Sequence, residues 1–197
     1  LARHAREQAR LAAMLGALDF TGLLDDWRTF LTAPRTDCPT APEAERPIKA
    51  LADARIWRAA KRVRRGGRSL TSASSSAELH QLRKRCKKLR YLMELFGALY
   101  PPAQITPLVE ELKGLLEQLG DFQDLAVQAG HLEAWAEELH AAGTAGPRTL
   151  MATGALVAIL LSRQEAIREG VARDFSAFDQ GRRWREYRAL FRDGVGG

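Results

Sequence analysis

The chain has 197 residues, of which 46% are hydrophobic and 27% are charged. This balance is typical of a soluble globular protein and excludes an intrinsically disordered chain. Two cysteines are too few for a disulfide framework, so we expect a cytoplasmic protein. The most apolar run, residues 150–161, is too short to span a bilayer. We therefore interpret it as a buried core helix and expect no membrane association.

The net charge of +6 is unevenly distributed along the chain. Residues 55–90 contain 13 Lys and Arg and a single acid, Glu78, so this segment carries +12. The remainder contains 17 basic and 23 acidic residues and carries −6. A basic segment in an otherwise acidic chain predicts an anionic partner for that segment.

The first third of the chain predicts three helices. Two cover residues 2–16 and 21–31, and a surface connection rich in proline follows them. Its prolines are Pro34, Pro39, Pro42 and Pro47. Pro47 suits the first turn of a third helix, which we expect to end at Gly66 and Gly67. Residues 69–76 are polar and predict a linker.

The rest of the chain also predicts helices, and period-2 strand alternation is lacking. Ser75 and Glu78 form a capping-box pattern before a helix over residues 77–99. We expect the next helix to begin at Thr106 and Pro107 and to break at Gly120, where Asp121 would cap its successor. That successor runs to Ala141, and two more helices end near residues 173 and 191. Short turns between helices of this length predict an all-α antiparallel helical bundle.

The predicted helix over residues 77–99 has an apolar seam and a basic stripe on different faces. The seam has 3-4-3-4-3 spacing and comprises Leu79, Leu82, Cys86, Leu89, Met93 and Phe96. The stripe comprises His80, Arg83, Lys87 and Arg90, with Lys84 and Tyr91 beside it. It is about 15 Å long, which is enough to follow several linked phosphates. Acids occur only near the two ends of the helix, so we favour phosphate binding over a solvated surface.

A second basic stripe lies on the preceding predicted helix. It comprises Arg55, Arg58, Arg62 and Arg65, with Lys61, Arg64 and Arg68 nearby. If the two helices pack side by side, the two stripes line a common groove. The alternative is a surface helix whose long side chains cover apolar neighbours.

No catalytic residue, metal site or cofactor is predicted. The chain lacks a Gly-rich phosphate loop, a Cys-x-x-Cys pair and a nucleophile elbow. Glu137 and His140 form half of a di-metal motif whose second copy is missing. From the residues alone, three functions stay open: binding of a phosphate polymer, binding of nucleic acid, and docking of an acidic protein partner.

Two stretches resemble the CHAD domain, the conserved-histidine α-helical domain. They are LHQLRKRCKKLRYLMELF, residues 79–96, and LVEELKGLLEQLGDFQDL, residues 108–125. They match the second of the family's two halves, with its His-x-x-Arg-x-x-x-Lys-[Lys/Arg]-x-Arg-Tyr helix and its Leu-Gly-x-x-x-Asp. The resemblance implies a helical domain that binds inorganic polyphosphate without catalysis. It also implies association with polyphosphate granules or polyphosphate-metabolising enzymes.

The resemblance assigns the binding residues by position. They are His80, Arg83, Lys87, Lys88, Arg90 and Lys113, joined less specifically by Arg58, Arg62 and Arg65, and by Lys84 from the stripe. A complete member also has an earlier His-x-x-Arg helix, which His4 and the residues after it do not supply. We therefore expect residues 1–197 to be one CHAD-like region from an incomplete two-bundle domain. Residues 1–68 would end its first half, and residues 77–197 would form its C-terminal bundle.

Overall fold

The computed structural model describes residues 2–17, 20–33, 43, 45–179 and 181–192. Most of the predicted proline-rich connection, together with Cys38, lies outside these residues. Every regular element in the described ranges is a helix and none is a strand, so the predicted all-α bundle class is confirmed.

The chain divides into two compact units, Leu1–Glu45 and Arg46–Gly197. The first unit contains α1 (Ala2–Gly16) and α2 (Phe20–Thr32), which agree with the two predicted N-terminal helices. Their large apolar side chains are exposed, including Met14 on α1 and Trp27 and Phe30 on α2. The extensively buried core therefore belongs to the second unit.

Five α-helices and one short 3₁₀ helix make up the described part of the second unit. They are α3 (Ile48–Arg68), α4 (Ser76–Leu95), the 3₁₀ helix (Gly97–Leu99), α5 (Pro102–Ala141), α6 (Pro147–Phe178) and α7 (Gly181–Phe191). Each of α3, α4 and α5 packs against the next helix in the chain, and α3 also contacts α6 and α7.

Helix α4 forms as its local sequence predicts. Glu78 N–H donates to Ser75 Oγ at 3.3 Å, and Ser75 N–H donates to Glu78 Oε2 at 2.8 Å, which completes the capping box. The first five residues of the predicted seam are buried, and Phe96 packs against them at the end of the helix. Burial of each leucine stabilises the fold by about 1.5–3 kcal/mol. The seam thus fixes which side of α4 faces the core.

Cys86 is fully buried in this seam, and burial raises the pKa of its thiol from 9.0 to about 12. Since the thiolate is the reactive form, we expect native Cys86 to resist iodoacetamide at about pH 8 and to react after unfolding. Peptide mapping by mass spectrometry checks this and reports Cys38 separately. Rapid labelling of Cys86 in the native protein would contradict its burial. The same shift makes the fold lose stability as pH rises from 9.0 to about 12, because only the unfolded chain releases the proton there.

Helix α5 is continuous over Pro102–Ala141, so the predicted start at Thr106 and break at Gly120 are wrong. Pro102 occupies the first turn, where a missing N–H costs little. Pro107 is exposed and lies inside the helix, but the buried Ile105 and Leu108 on either side hold that turn against the core. Gly120 costs about 1 kcal/mol of helix propensity, which the burial of neighbouring apolar residues offsets. Asp121 accordingly caps no helix.

Helix α3 passes through Gly66 and Gly67 and ends at Arg68, so the predicted stop at the glycines is wrong. Both glycines are buried and admit close neighbours rather than ending the helix. Arg64 and Arg68, which flank the two glycines, both donate hydrogen bonds to Asp179. The Arg64 guanidinium also lies 4.1 Å from the Trp184 ring centroid. These contacts hold α7 against α3 and neutralise two of the basic residues of α3.

The apolar run over residues 150–161 is not a buried core helix, in contrast to the sequence-based interpretation. It forms part of α6, and within it only Val157 and Leu160 are buried. By length and composition alone, α6 is apolar enough to cross a bilayer.

Candidate anion-binding surface

Helix α4 lies between α3 and α5, and each of its flanks forms one wall of a cavity. Since the seam of α4 is buried, its basic residues are left on these flanks and on the outer surface of the helix. The same sequence pattern that buries one face thus displays the cations on the others.

The cavity between α3 and α4 carries more uncompensated positive charge than the cavity between α4 and α5. It has a volume of about 230 Å³ and is lined by Ala59, Arg62, Lys84, Arg85 and Lys88. Arg62 comes from α3 and the other cations from α4, and no carboxylate is among the lining residues. Helices α3 and α4 therefore pack side by side, but the predicted groove between the two stripes is wrong in its lining, because none of the four residues of the α4 stripe lines this cavity.

Sequence reasoning missed Arg85, which lines this α3–α4 cavity. Its Nη1 lies 2.2 Å from the position that a Cβ would take at Gly66. A glycine in α3 therefore makes room for the guanidinium. The adjacent glycines of α3 were the sequence signal for this close approach of Arg85. A glycine pair also occurs at helix ends, and the sequence alone does not distinguish the two cases.

The second cavity lies between α4 and α5 and has a volume of about 410 Å³. Its cations are Arg83, Lys87, Arg90 and Lys113, and its carboxylates are Glu117, Asp121 and Asp124. The Arg83 guanidinium packs on α5 over Gly120, with Nη2 3.6 Å from the position of a Cβ there. This α4–α5 cavity therefore combines both signs of charge, which the one-helix pattern did not predict.

Ion pairing divides the cations into two groups. Lys113 Nζ lies 2.7 Å from Glu110 Oε1, and Arg90 Nε lies 3.5 Å from Glu94 Oε1. The remaining α4 cations at the site form no ion pair within the described part of the chain: Arg83, Lys84, Arg85, Lys87 and Lys88. Five positive charges on α4 are thus not held in ion pairs there.

The outer surface of α4 connects the two cavities. A shallow depression there is lined by Lys84, Lys87 and Lys88 together with Tyr91 and two leucines. The Tyr91 ring is 49% exposed, and Lys87 Nζ and Arg90 Cζ lie 5.8 Å and 4.9 Å from its centroid. Cations consequently follow one another from the α3–α4 cavity across α4 to the α4–α5 cavity. We call this set the α4 cation surface: Arg62, Arg83, Lys84, Arg85, Lys87 and Lys88.

Most of the chain matches a known protein-family model. The model described as "CHAD domain" matches residues 1–133, well over half of the chain. The chain belongs to the CHAD family. The match includes every residue of the α4 cation surface, whereas α6 and α7 lie beyond it. A search of curated proteins found no match.

The segments after the family match are nevertheless part of the CHAD domain's core. Val171 and Phe175 of α6 and Tyr187 and Phe191 of α7 are each at most 2% exposed and belong to the same buried cluster as the α4 seam. In this CHAD domain the C-terminal helices therefore support the helices that carry the cations.

Three of the residues assigned from sequence lie outside both cavities of this CHAD domain: His80, Arg58 and Arg65. His80 Nδ1 lies 2.6 Å from Gln123 Oε1 of α5. This contact occupies Nδ1 within the fold, so Nδ1 is not available to a phosphate.

Within the described ranges, no group of three His, Cys, Asp or Glu side chains is placed to hold a metal ion. The carboxylates that line the α4–α5 cavity are therefore not placed to hold a metal ion together. What the CHAD domain presents on α4 is a set of cations that suits an anionic ligand.

Proposed function

We propose that this CHAD domain binds inorganic polyphosphate, without catalysis, along the α4 cation surface. The observation that carries the proposal is the α3–α4 cavity, in which four cations converge and no carboxylate is present. Charge-assisted hydrogen bonds from Arg and Lys to phosphate oxygens offset the repulsion among these side chains.

The distribution of the cations favours a polymer over a single phosphate. The α4 cation surface covers two flanks of a helix that is about 10 Å across with its side chains. Orthophosphate reaches the cations of one flank at a time, whereas a chain of linked phosphates reaches both. Each added contact then requires no new loss of translational freedom, so affinity grows with chain length.

The length and salt dependence of binding tests this proposal. We expect affinity to rise from orthophosphate through tripolyphosphate to long-chain polyphosphate, and to fall linearly with salt on logarithmic axes, since binding releases counterions. Isothermal titration calorimetry at several salt concentrations measures both. Equal affinity for tripolyphosphate and long chains would contradict polymer binding.

Competition separates polyphosphate from nucleic acid. Tyr91 is the one aromatic residue lining the α4 depression, which offers little stacking for bases. We therefore expect polyphosphate to displace labelled duplex DNA far better than DNA displaces polyphosphate. Phosphate release with and without magnesium tests the absence of catalysis. In cells, we propose a cytoplasmic protein that collects at polyphosphate granules, which fluorescence co-localisation would show.

A further inference from the structure

In the α4–α5 cavity, hydrogen-bond donors of α4 face hydrogen-bond acceptors of α5. On the α4 side, Arg83 and Lys87 form no ion pair among the described residues. On the α5 side, three exposed carboxylates are likewise unpaired there: Glu117, Asp121 and Asp124. Their spacing places them on one face of α5, along about 10 Å of the helix. Opposite charges thus line one cavity of about 410 Å³ without closing an ion pair across it.

Arg83 also has a donor that the described part of the fold leaves unused. Its Nε is buried and has no hydrogen-bond partner within the described ranges. This atom lies 3.8 Å from the position of a Cβ at Gly120, which lines the same cavity. A buried N–H without a partner costs about 1–3 kcal/mol, so an acceptor supplied by a ligand would stabilise this arrangement.

Further cations surround the carboxylates of this cavity. Arg90 and Lys113 also line it, and each already has a glutamate partner. Arg163 of α6 lines the neighbouring groove together with Asp121 and Asp124, and it forms no ion pair among the residues described. The two aspartates therefore have unpaired cations near them on both α4 and α6, which offsets the repulsion between adjacent carboxylates.

The interior and the end of a polyphosphate chain differ in the protons that they carry. An interior phosphate is linked to a neighbour on each side and keeps a single acidic oxygen, which is ionised at neutral pH. A terminal phosphate has a further acidic oxygen, which resembles that of a phosphate monoester with a pKa of about 6. Around that pH, the chain end has a P–OH donor beside its anionic acceptors, whereas the interior has acceptors only.

We propose that the α4–α5 cavity binds the protonated terminal phosphate of a polyphosphate chain, an inference that rests on the proposed function. Arg83 and Lys87 donate hydrogen bonds to the anionic oxygens, and the P–OH donates to a carboxylate of α5. The chain then crosses the outer surface of α4 to the α3–α4 cavity, where cations without carboxylates suit interior phosphates. The two cavities thereby give the bound chain a direction.

A linear and a cyclic phosphate of equal size test this proposal, because tripolyphosphate has ends and trimetaphosphate has none. Isothermal titration calorimetry with the full chain measures the ratio of their association constants. At about pH 6 we expect a preference of about thirtyfold for the linear form, the factor that one charge-assisted contact contributes. This preference should shrink toward about pH 8, as the P–OH ionises. Electrostatic attraction alone gives the opposite trend, because the ionised end carries more charge.

Two matched variants assign the preference to the carboxylates of the cavity. Asp121→Asn with Asp124→Asn should remove most of the preference at about pH 6 and reverse its trend with pH, since an amide can donate to the ionised end. Glu133→Gln with Glu137→Gln removes the same charge from exposed positions of α5 outside the cavity and should keep the wild-type ratio. His80 is retained in every variant, so its protonation acts on both ligands alike. Circular dichroism checks that the helix content is unchanged.

Equal gains in affinity for the linear and cyclic ligands in the Asp121→Asn, Asp124→Asn variant would overturn the proposal, because the carboxylates would then only repel anions. A wild-type preference that rises with pH would overturn it as well. If the wild type bound long-chain polyphosphate without preferring the linear ligand, the chain-end inference alone would fail. Failure to bind long chains at all would overturn the proposed function too.

The terminal phosphate of a nucleotide offers the same P–OH group, so ATP is included in the titrations. We expect ATP to compete poorly with long-chain polyphosphate, because it lacks the interior phosphates that reach the α3–α4 cavity. ATP that displaced the long chain at equal phosphate concentration would overturn the assignment of the α4–α5 cavity to a polyphosphate end.

Discussion

The variant Lys84→Glu with Lys88→Glu is expected to bind long-chain polyphosphate about a thousandfold more weakly than the wild type. Both lysines line the α3–α4 cavity, where no carboxylate offsets them, and both border the outer depression of α4. Loss of two charge-assisted contacts of about 2 kcal/mol each corresponds to this factor. Calorimetric titration measures it, and the salt slope should become shallower by about two units.

Two further variants show whether position or net charge is responsible. Arg83→Glu with Lys87→Glu changes the charge equally but should weaken binding less, because three carboxylates already face these residues in the α4–α5 cavity. Arg173→Glu with Arg185→Glu makes the same change on α6 and α7, away from the α4 cation surface, and should leave affinity nearly intact. If all three double variants lost affinity equally, the ligand would be responding to overall charge and α4 would hold no site.

The sequence alone predicted the features of the fold that depend on residues within one or two helical turns. The capping box at Ser75 and Glu78 and the seam from Leu79 to Met93 are local patterns, and both formed as predicted. The CHAD resemblance rested on this helix and on residues 108–125 of α5, and it is confirmed by the family match.

The predicted helix ends at glycine and proline were wrong because they considered only the local loss of helix stability. The burial of neighbouring side chains offsets that loss. Gly120 and Pro107 each weaken a helix, yet buried residues beside them keep α5 continuous. Gly66 and Gly67 look like a helix end, but their role is to admit side chains from α4 and α6. The partner of a buried glycine is distant in sequence, so a single chain does not reveal it.

The charge balance of the candidate site also depended on distant residues. Asp121 and Asp124 enter the α4–α5 cavity because α5 is continuous, which the predicted break concealed. Asp179 neutralises Arg64 and Arg68 from more than 100 residues away, so part of the basic stripe of α3 holds the fold together instead. Counting charges on one helix therefore overestimates the cations available to a ligand.

Gly67→Ala is expected to destabilise the second unit by about 3 kcal/mol, near the upper end for overpacking of a core. A Cβ at this position would lie 1.9 to 2.1 Å from three ring carbons of Phe175, which is 2% exposed. The buried ring has no free space to enter, so α3 and α6 must separate. Thermal unfolding followed by circular dichroism should show a midpoint lower by about 6–12 °C.

Gly66→Ala is the matched control, and it separates stability from binding. Its Cβ would lie 2.2 Å from Arg85 Nη1, but that atom is the end of a flexible, exposed side chain that can move into solvent. Alanine also gains about 1 kcal/mol of helix propensity, so the unfolding midpoint should stay the same or rise. The displaced guanidinium leaves the α3–α4 cavity, and polyphosphate affinity should fall by about thirtyfold, the value of one charge-assisted contact of about 2 kcal/mol. A Gly66→Ala protein with wild-type affinity would remove Arg85 from the α4 cation surface, and equal destabilisation by both alanines would contradict the tight contact between Gly67 and Phe175.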